Sequence, residues 1–138
     1  MAYKDFKQMS VWQKAFSLVI RIYEITKRFP NEERFGIVSD MRRAANSVVH
    51  NIAEGFGRFE RKDKSRFYKI SRGSCYELIS QTLVAGALNY LTDDTEKSEL
   101  EKGYKEVINE LDSLIKTVET KTRRQFPRPQ PLPWYSIS

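Results

Sequence analysis

The chain has one cysteine, Cys75, and one histidine, His50. A single thiol forms no internal disulfide and no cysteine-cluster metal site, so Cys75 reads as a small hydrophobe packed in a core. Neither residue sits in a nucleophile motif, which argues against a catalytic cysteine–histidine pair. His50 and Glu54 stand four apart, but a metal site needs several convergent ligands, not one pair. No Gly-rich loop followed by Lys-Ser or Lys-Thr is present to cradle a phosphate. Gly55-Phe56-Gly57 is a G-x-G, yet Glu60 stands where a dinucleotide fingerprint has its third glycine, and no strand precedes it. No catalytic residue, metal or cofactor is therefore expected, and the chain reads as a non-enzyme.

Long apolar runs are also missing, so no membrane span is expected. The start, Met1-Ala2-Tyr3-Lys4-Asp5-Phe6, lacks a signal peptide's apolar stretch, which points to the cytoplasm. No segment alternates apolar and polar residues as a strand does. Four of the five prolines lie in the stretch after Gln125, which leaves the rest of the chain free to be helical. At 138 residues, 40% hydrophobic and 30% charged, one domain with its own core is expected. The net charge is +6, of which Lys121, Arg123, Arg124 and Arg128 supply four with no acid among them. The excess is thus mostly terminal, and overall charge says little about any face of the folded part.

Four segments carry helical periodicity. Trp12, Ala15, Phe16, Val19, Ile22, Tyr23 and Phe29 recur at three and four, with Ser10 and Gln13 at capping-box spacing before them. Pro30 ends that segment, and Asn31 is expected to cap the next, with Glu32 and Glu33 in its first turn. The second helix runs to about Gly55. The third begins near Arg61 to Asp63 and carries Phe67, Ile70, Ser74, Leu78, Gln81, Ala85 and Leu88 in phase. Gly73 and Gly86 inside it each cost about 1 kcal/mol against Ala, which close approach of a neighbouring helix would offset. Asp93 and Glu96 form a second capping-box spacing. Leu100, Tyr104, Val107, Leu111, Leu114 and Val118 then give a heptad seam, widened by Ile108 and Ile115. The reading is an all-α, antiparallel up-down-up-down four-helix bundle over residues 1–122, followed by a basic, Pro-rich tail over 123–138. Without helical period, that tail is expected to be extended or disordered, although Leu132, Trp134 and Tyr135 give it groups to dock.

Two constellations stand out. In the second helix, Arg43, Ser47 and Asn51 fall four apart beside an apolar face made by Met41, Ala44, Ala45, Val48, Ile52 and Ala53. Buried polar groups need partners, so Arg43, Ser47 and Asn51 are expected in a polar network with Glu77 of the third helix. In the third helix, Lys62, Arg66 and Lys69 lie four and three apart, with Arg58, Arg61 and Arg72 nearby and Tyr68 interleaved. Such a stripe follows a phosphate backbone with the aromatic available for stacking, assisted by Arg123 and Arg124; a plain solvated face is the other reading. Trp12, Ile25, Phe56, Tyr76 and Tyr90 exceed what a small bundle buries and suggest an interface between copies.

The motif R-R-A-A-x-S-x-x-x-N-I-A-E-G, from Arg42 to Gly55 with Gly57-Arg58 after it, resembles the signature of a bacterial four-helix-bundle family. Its members are encoded in 23S rRNA intervening sequences and are related to the accessory variability determinants of diversity-generating retroelements. Asp5-Phe6 through Val11-Trp12-Gln13-Lys14-Ala15 resembles the family's opening, Phe29-Pro30-Asn31-Glu32-Glu33 its first turn, and Gly73-Ser74-Cys75-Tyr76-Glu77-Leu78 its third helix. The likeness covers roughly residues 4–118. It implies a closed homo-oligomer, a pentamer, and a nucleic-acid or nucleoprotein setting with RNA, DNA or a reverse transcriptase as partner. Two functions follow. One is an oligomeric scaffold binding structured RNA or nucleoprotein by charge and shape. The other is a protein-directed adaptor that uses apolar bundle surface and the Pro-rich tail, with no nucleic-acid contact.

Overall fold

The computed structural model describes residues 3–124, with side chains described for residues 3–120. Four helices account for most of this: α1 (Ser10–Thr26), α2 (Ile37–Gly57), α3 (Arg61–Ala87) and α4 (Asp94–Arg124), with short 3-10 turns at Phe6–Gln8 and Asn31–Glu33. No strand occurs among the described residues. α1 packs on α2 and α4, and α3 packs on α2 and α4, so α1 and α3 are diagonal in an antiparallel four-helix bundle. Residues 125–138, the Pro-rich part of the tail, lie outside the described residues, as do the side chains of Arg123 and Arg124.

Apolar residues at helical spacing build the core. α1 contributes Ala15, Val19, Ile22 and Ile25; α2 contributes Met41, Ala45, Val48 and Ile52; α4 contributes Leu100, Tyr104, Val107, Leu111 and Ile115. Fully burying each valine, leucine, isoleucine or methionine side chain among these stabilises the fold by about 1.5–3 kcal/mol before the ordering cost. Most of the apolar residues that looked surplus find places here. Ile25 is buried, while Trp12, Phe56 and Tyr90 are half-buried against the core, and Tyr76 alone remains largely exposed, at 58%.

Helix ends differ from the sequence reading in instructive ways. Ser10 is the first residue of α1 and makes no capping bond; Asp5 Oδ1 instead accepts from Lys7 N–H at the preceding 3-10 turn (2.9 Å). Asn31 does not cap α2, because residues 31–33 form their own 3-10 turn and α2 starts after Gly36. Asp93 does cap α4, its Oδ1 accepting from Thr95 and Glu96 N–H at 2.8 and 3.1 Å. Glu96 does not complete a capping box, because its carboxylate takes Arg21 and Arg28 of the α1 side at 3.0 and 2.6 Å. α3 closes with Asn89 in the left-handed region (φ 63°), Asn89 N–H bonded to Gly86 O and Tyr90 N–H to Ala85 O. That is a Schellman ending, which asparagine tolerates.

α3 is built inside out. Its buried residues are mainly small or polar, namely Ser65, Ser71, Ser74, Cys75, Thr82 and Ala85, with Tyr68 and Leu78. Its exposed residues include Ile70, Tyr76, Leu83, Val84 and Leu88. The apolar period read from the sequence followed partly the outer face, and so Ile70 and Leu88 are surface residues. From Gly73 to Thr92 the only charged residue is Glu77. α1 has a shorter exposed apolar strip of its own, Phe16, Ile20 and Tyr23.

Candidate nucleic-acid interface

The end of the bundle where α2 meets α3 is fixed by a close contact. A Cβ on Gly55 would stand 2.5 Å from Cε1 of Tyr68, so the Tyr68 ring lies directly on the α2 backbone. Tyr68 is only 3% exposed, and burial pushes its hydroxyl pKa up to about 12. It is therefore not available for stacking on a base, contrary to the reading from spacing. Lys64, which the sequence reading did not single out, reaches back to the Gly55 and Phe56 carbonyls (3.2 and 2.7 Å). A cation there satisfies orphan carbonyls and complements the negative end of the helix dipole. Burial lowers the Lys64 pKa. After this clamp Arg58 and Glu60 take extended conformations, and between them Phe59 projects from the turn, 94% exposed.

The six basic residues of the stripe lie together along the first turns of α3 and the turn before it. Most are engaged. Arg58 pairs with Glu54 (3.0 Å) and Arg66 approaches Asp63 (3.9 Å). Both guanidiniums lie over the Phe67 ring, 4.6 and 4.5 Å from its centroid. Lys69 pairs with Glu119 and Arg72 with Asp112, each at 2.8 Å, tying α3 to α4. Lys62 is exposed, and Arg61 is half-buried. An open groove of about 790 Å³ runs here, lined by Arg61, Lys62, Asp63, Ser65, Arg66, Lys69 and Ile70 of α3 and by Glu119 of α4. Ser65 Oγ donates to Glu119 (2.8 Å). The paired cations remain a third or more exposed, so these ion pairs contribute little stability and can exchange for a phosphate.

Comparison with known proteins decides the family. The family described as 23S rRNA-intervening sequence protein matches residues 7–113. The chain belongs to this family. A solved structure from Bacteroides thetaiotaomicron, described as a protein with unknown function from the S23 ribosomal protein family, shares the fold. Its TM-score is 0.69 at 19% identity, over 77% of this chain and 98% of that one. No curated protein matches the chain.

In this family member the signature helix makes two polar clusters, not one continuous network. Ser74 Oγ donates to Ser47 Oγ (2.8 Å), and Asn51 Nδ2 donates to the Ser47 carbonyl and hydroxyl at 2.7 and 3.1 Å. Ser71 Oγ donates to the Val48 carbonyl at 2.8 Å. One turn away, Arg43 meets Glu77 (2.8 Å), which also takes Gln81 Nε2 at 3.4 Å. Arg43 is exposed, its side chain at 61%, so the expected burial of that residue does not occur. Its long side chain spans α2 to α3 at the surface, while the short Ser and Asn groups lie in the seam.

Cys75 is fully buried, and burial pushes its thiol up to about 12. His50 faces out from α2, and Glu54 is paired with Arg58. Among the described residues no three of His, Cys, Asp and Glu converge as metal ligands. No helix among them is long and apolar enough to cross a membrane.

Proposed function

We propose that this chain is a non-enzymatic homo-oligomeric scaffold of the cytoplasm that binds structured RNA, or a nucleoprotein built on it, by charge and shape. One observation carries the reading: the outer face of α3 changes character at Gly73. Before it stand Lys62, Arg66, Lys69 and Arg72; after it come Tyr76, Leu83, Val84 and Leu88, and the single charge in that stretch, Glu77, is paired with Arg43. In a chain that is 30% charged, such a face is a candidate contact between copies. Gly73 points the same way. Among the described residues no atom lies within 4 Å of the place its Cβ would take, so none of them requires glycine there.

The apolar strip on α1 lies on the diagonal helix. A copy that uses both faces meets a different neighbour on each, which closes into a ring when the rotation allows. Five is the number of copies that the family resemblance implies. Assembly repeats the basic half of α3 around the ring and joins weak contacts into one stronger one. A reverse transcriptase–RNA complex, as with the related accessory variability determinants, is one nucleoprotein that fits; DNA of similar shape is a further ligand of the same charge.

The protein-directed adaptor is the second reading. The pairing of Arg58, Arg66, Lys69 and Arg72 with carboxylates favours it, because part of the stripe's charge is already neutralised. A mobility-shift series with a structured RNA across salt separates the two. A steep fall in affinity with salt, further weakened when Lys62, Arg66 and Lys69 are all changed to Gln, supports the scaffold. Unchanged affinity in that variant, with the oligomer intact, contradicts it.

A further inference from the structure

The turn between α2 and α3 carries an aromatic side chain that the fold does not use. Phe59 is 94% exposed, held out by the extended backbone of Arg58 and Glu60. Glu60 follows it directly, but Arg58 precedes it and Arg61 and Lys62 come next, so cations outnumber acids around the tip. The Arg58 guanidinium is turned away onto the Phe67 ring. A planar apolar ring at the tip of a basic end has the chemistry of a stacking platform, since every base has a π-face and its phosphates suit the flanking cations.

We infer that Phe59 stacks on an unpaired base, and that the nucleic acid taken by this protein therefore presents unpaired nucleotides, as a loop, bulge or single strand. This rests on the nucleic-acid reading above and adds a substrate class to it. A duplex hides its base faces in its own stack and offers the ring nothing but backbone. A second exposed phenylalanine serves as the internal comparison. Phe35 is 89% exposed but lies at the opposite end of the bundle, beside Glu32, Glu33 and Asp40, with Arg34 over its ring at 5.6 Å. It has the same hydrophobicity in a stretch, residues 31–40, where three acids outnumber one cation.

The experiment is fluorescence anisotropy of a labelled single-stranded RNA and of the same sequence in a blunt duplex, with the full chain. Phe59→Ala is expected to weaken single-strand binding by roughly 5- to 150-fold, the equivalent of about 1–3 kcal/mol per stacked base, and to leave duplex binding unchanged. Phe35→Ala is expected to change neither. Phe59→Trp is expected to keep single-strand affinity, with its indole fluorescence quenched by the RNA. Equal effects of Phe59→Ala on both RNAs, no effect on either, or a loss of oligomer mass in that variant would overturn the assignment. If the wild-type chain binds neither RNA, the nucleic-acid reading itself falls. If the Lys62, Arg66 and Lys69 to Gln variant loses affinity while Phe59→Ala does not, only the stacking platform falls.

Discussion

Two glycines show how differently single residues report on the fold and on assembly. Gly55 is locked under Tyr68, so Gly55→Ala forces the ring or the helix to move. Overpacking of this kind costs about 1–3 kcal/mol, and the urea midpoint of that variant should fall accordingly. Gly73 is open in the single bundle, so Gly73→Ala should stabilise the isolated helix by about 1 kcal/mol. If a neighbouring copy approaches there, the same methyl group should instead shift the sedimenting species to smaller mass. Cys75 gives a pH prediction. Its thiol rises from 9.0 to about 12 on burial. Between those values the unfolded chain has lost a proton that the folded chain keeps, so the stability it contributes is complete below about pH 9 and declines as pH rises toward 12. Native Cys75 should also resist iodoacetamide at pH 8 and react once urea unfolds the chain; equal labelling in both states would contradict its burial. The buried Cys75 was legible because a lone cysteine in a chain with no reactive motif has little else to do. Tyr68 and Phe59 were not, because spacing places an aromatic on a helix or turn without telling which one the Gly55 contact draws inward.

At the scale of elements, the four helices were legible from Pro30, the Gly55–Gly57 punctuation, the Asp93 cap and the α4 heptad seam. The phase of α3 was only partly legible. Its inward face is held by Ser71 on the Val48 carbonyl and Ser74 on Ser47, while leucines and valine face out. A sequence reader who follows hydrophobicity assigns such a helix to the wrong side, since period alone does not say whether an apolar face meets its own chain or another. The polar pairing of the signature helix was legible for Arg43 with Glu77 but not for Asn51, whose short side chain bonds within its own helix to Ser47. The outer face of α3 makes a direct prediction. Tyr76→Glu with Leu83→Glu should leave helical circular dichroism and the thermal transition of the bundle in place, because both residues are exposed, yet should abolish the proposed self-association in sedimentation. Loss of the fold together with the oligomer would mean that these residues serve the bundle itself.

For the molecule as a whole, placement matters more than the amount of charge. The net +6 is modest, and beyond the terminal arginines the densest run of basic residues lies where α2 hands over to α3. One bundle offers a short stripe, partly paired to its own carboxylates. Five bundles joined through α1 and α3 would offer it five times around one axis, and affinity would then depend on assembly as much as on any lysine. Sedimentation velocity followed through a fluorescent label on a structured RNA tests that dependence in one measurement. With protein at micromolar concentration and low salt, the account predicts that the RNA moves with a species of several 16.2 kDa subunits and is released as salt rises while the subunits stay together. A 16.2 kDa protein monomer, with the RNA sedimenting alone at every salt concentration, would contradict it.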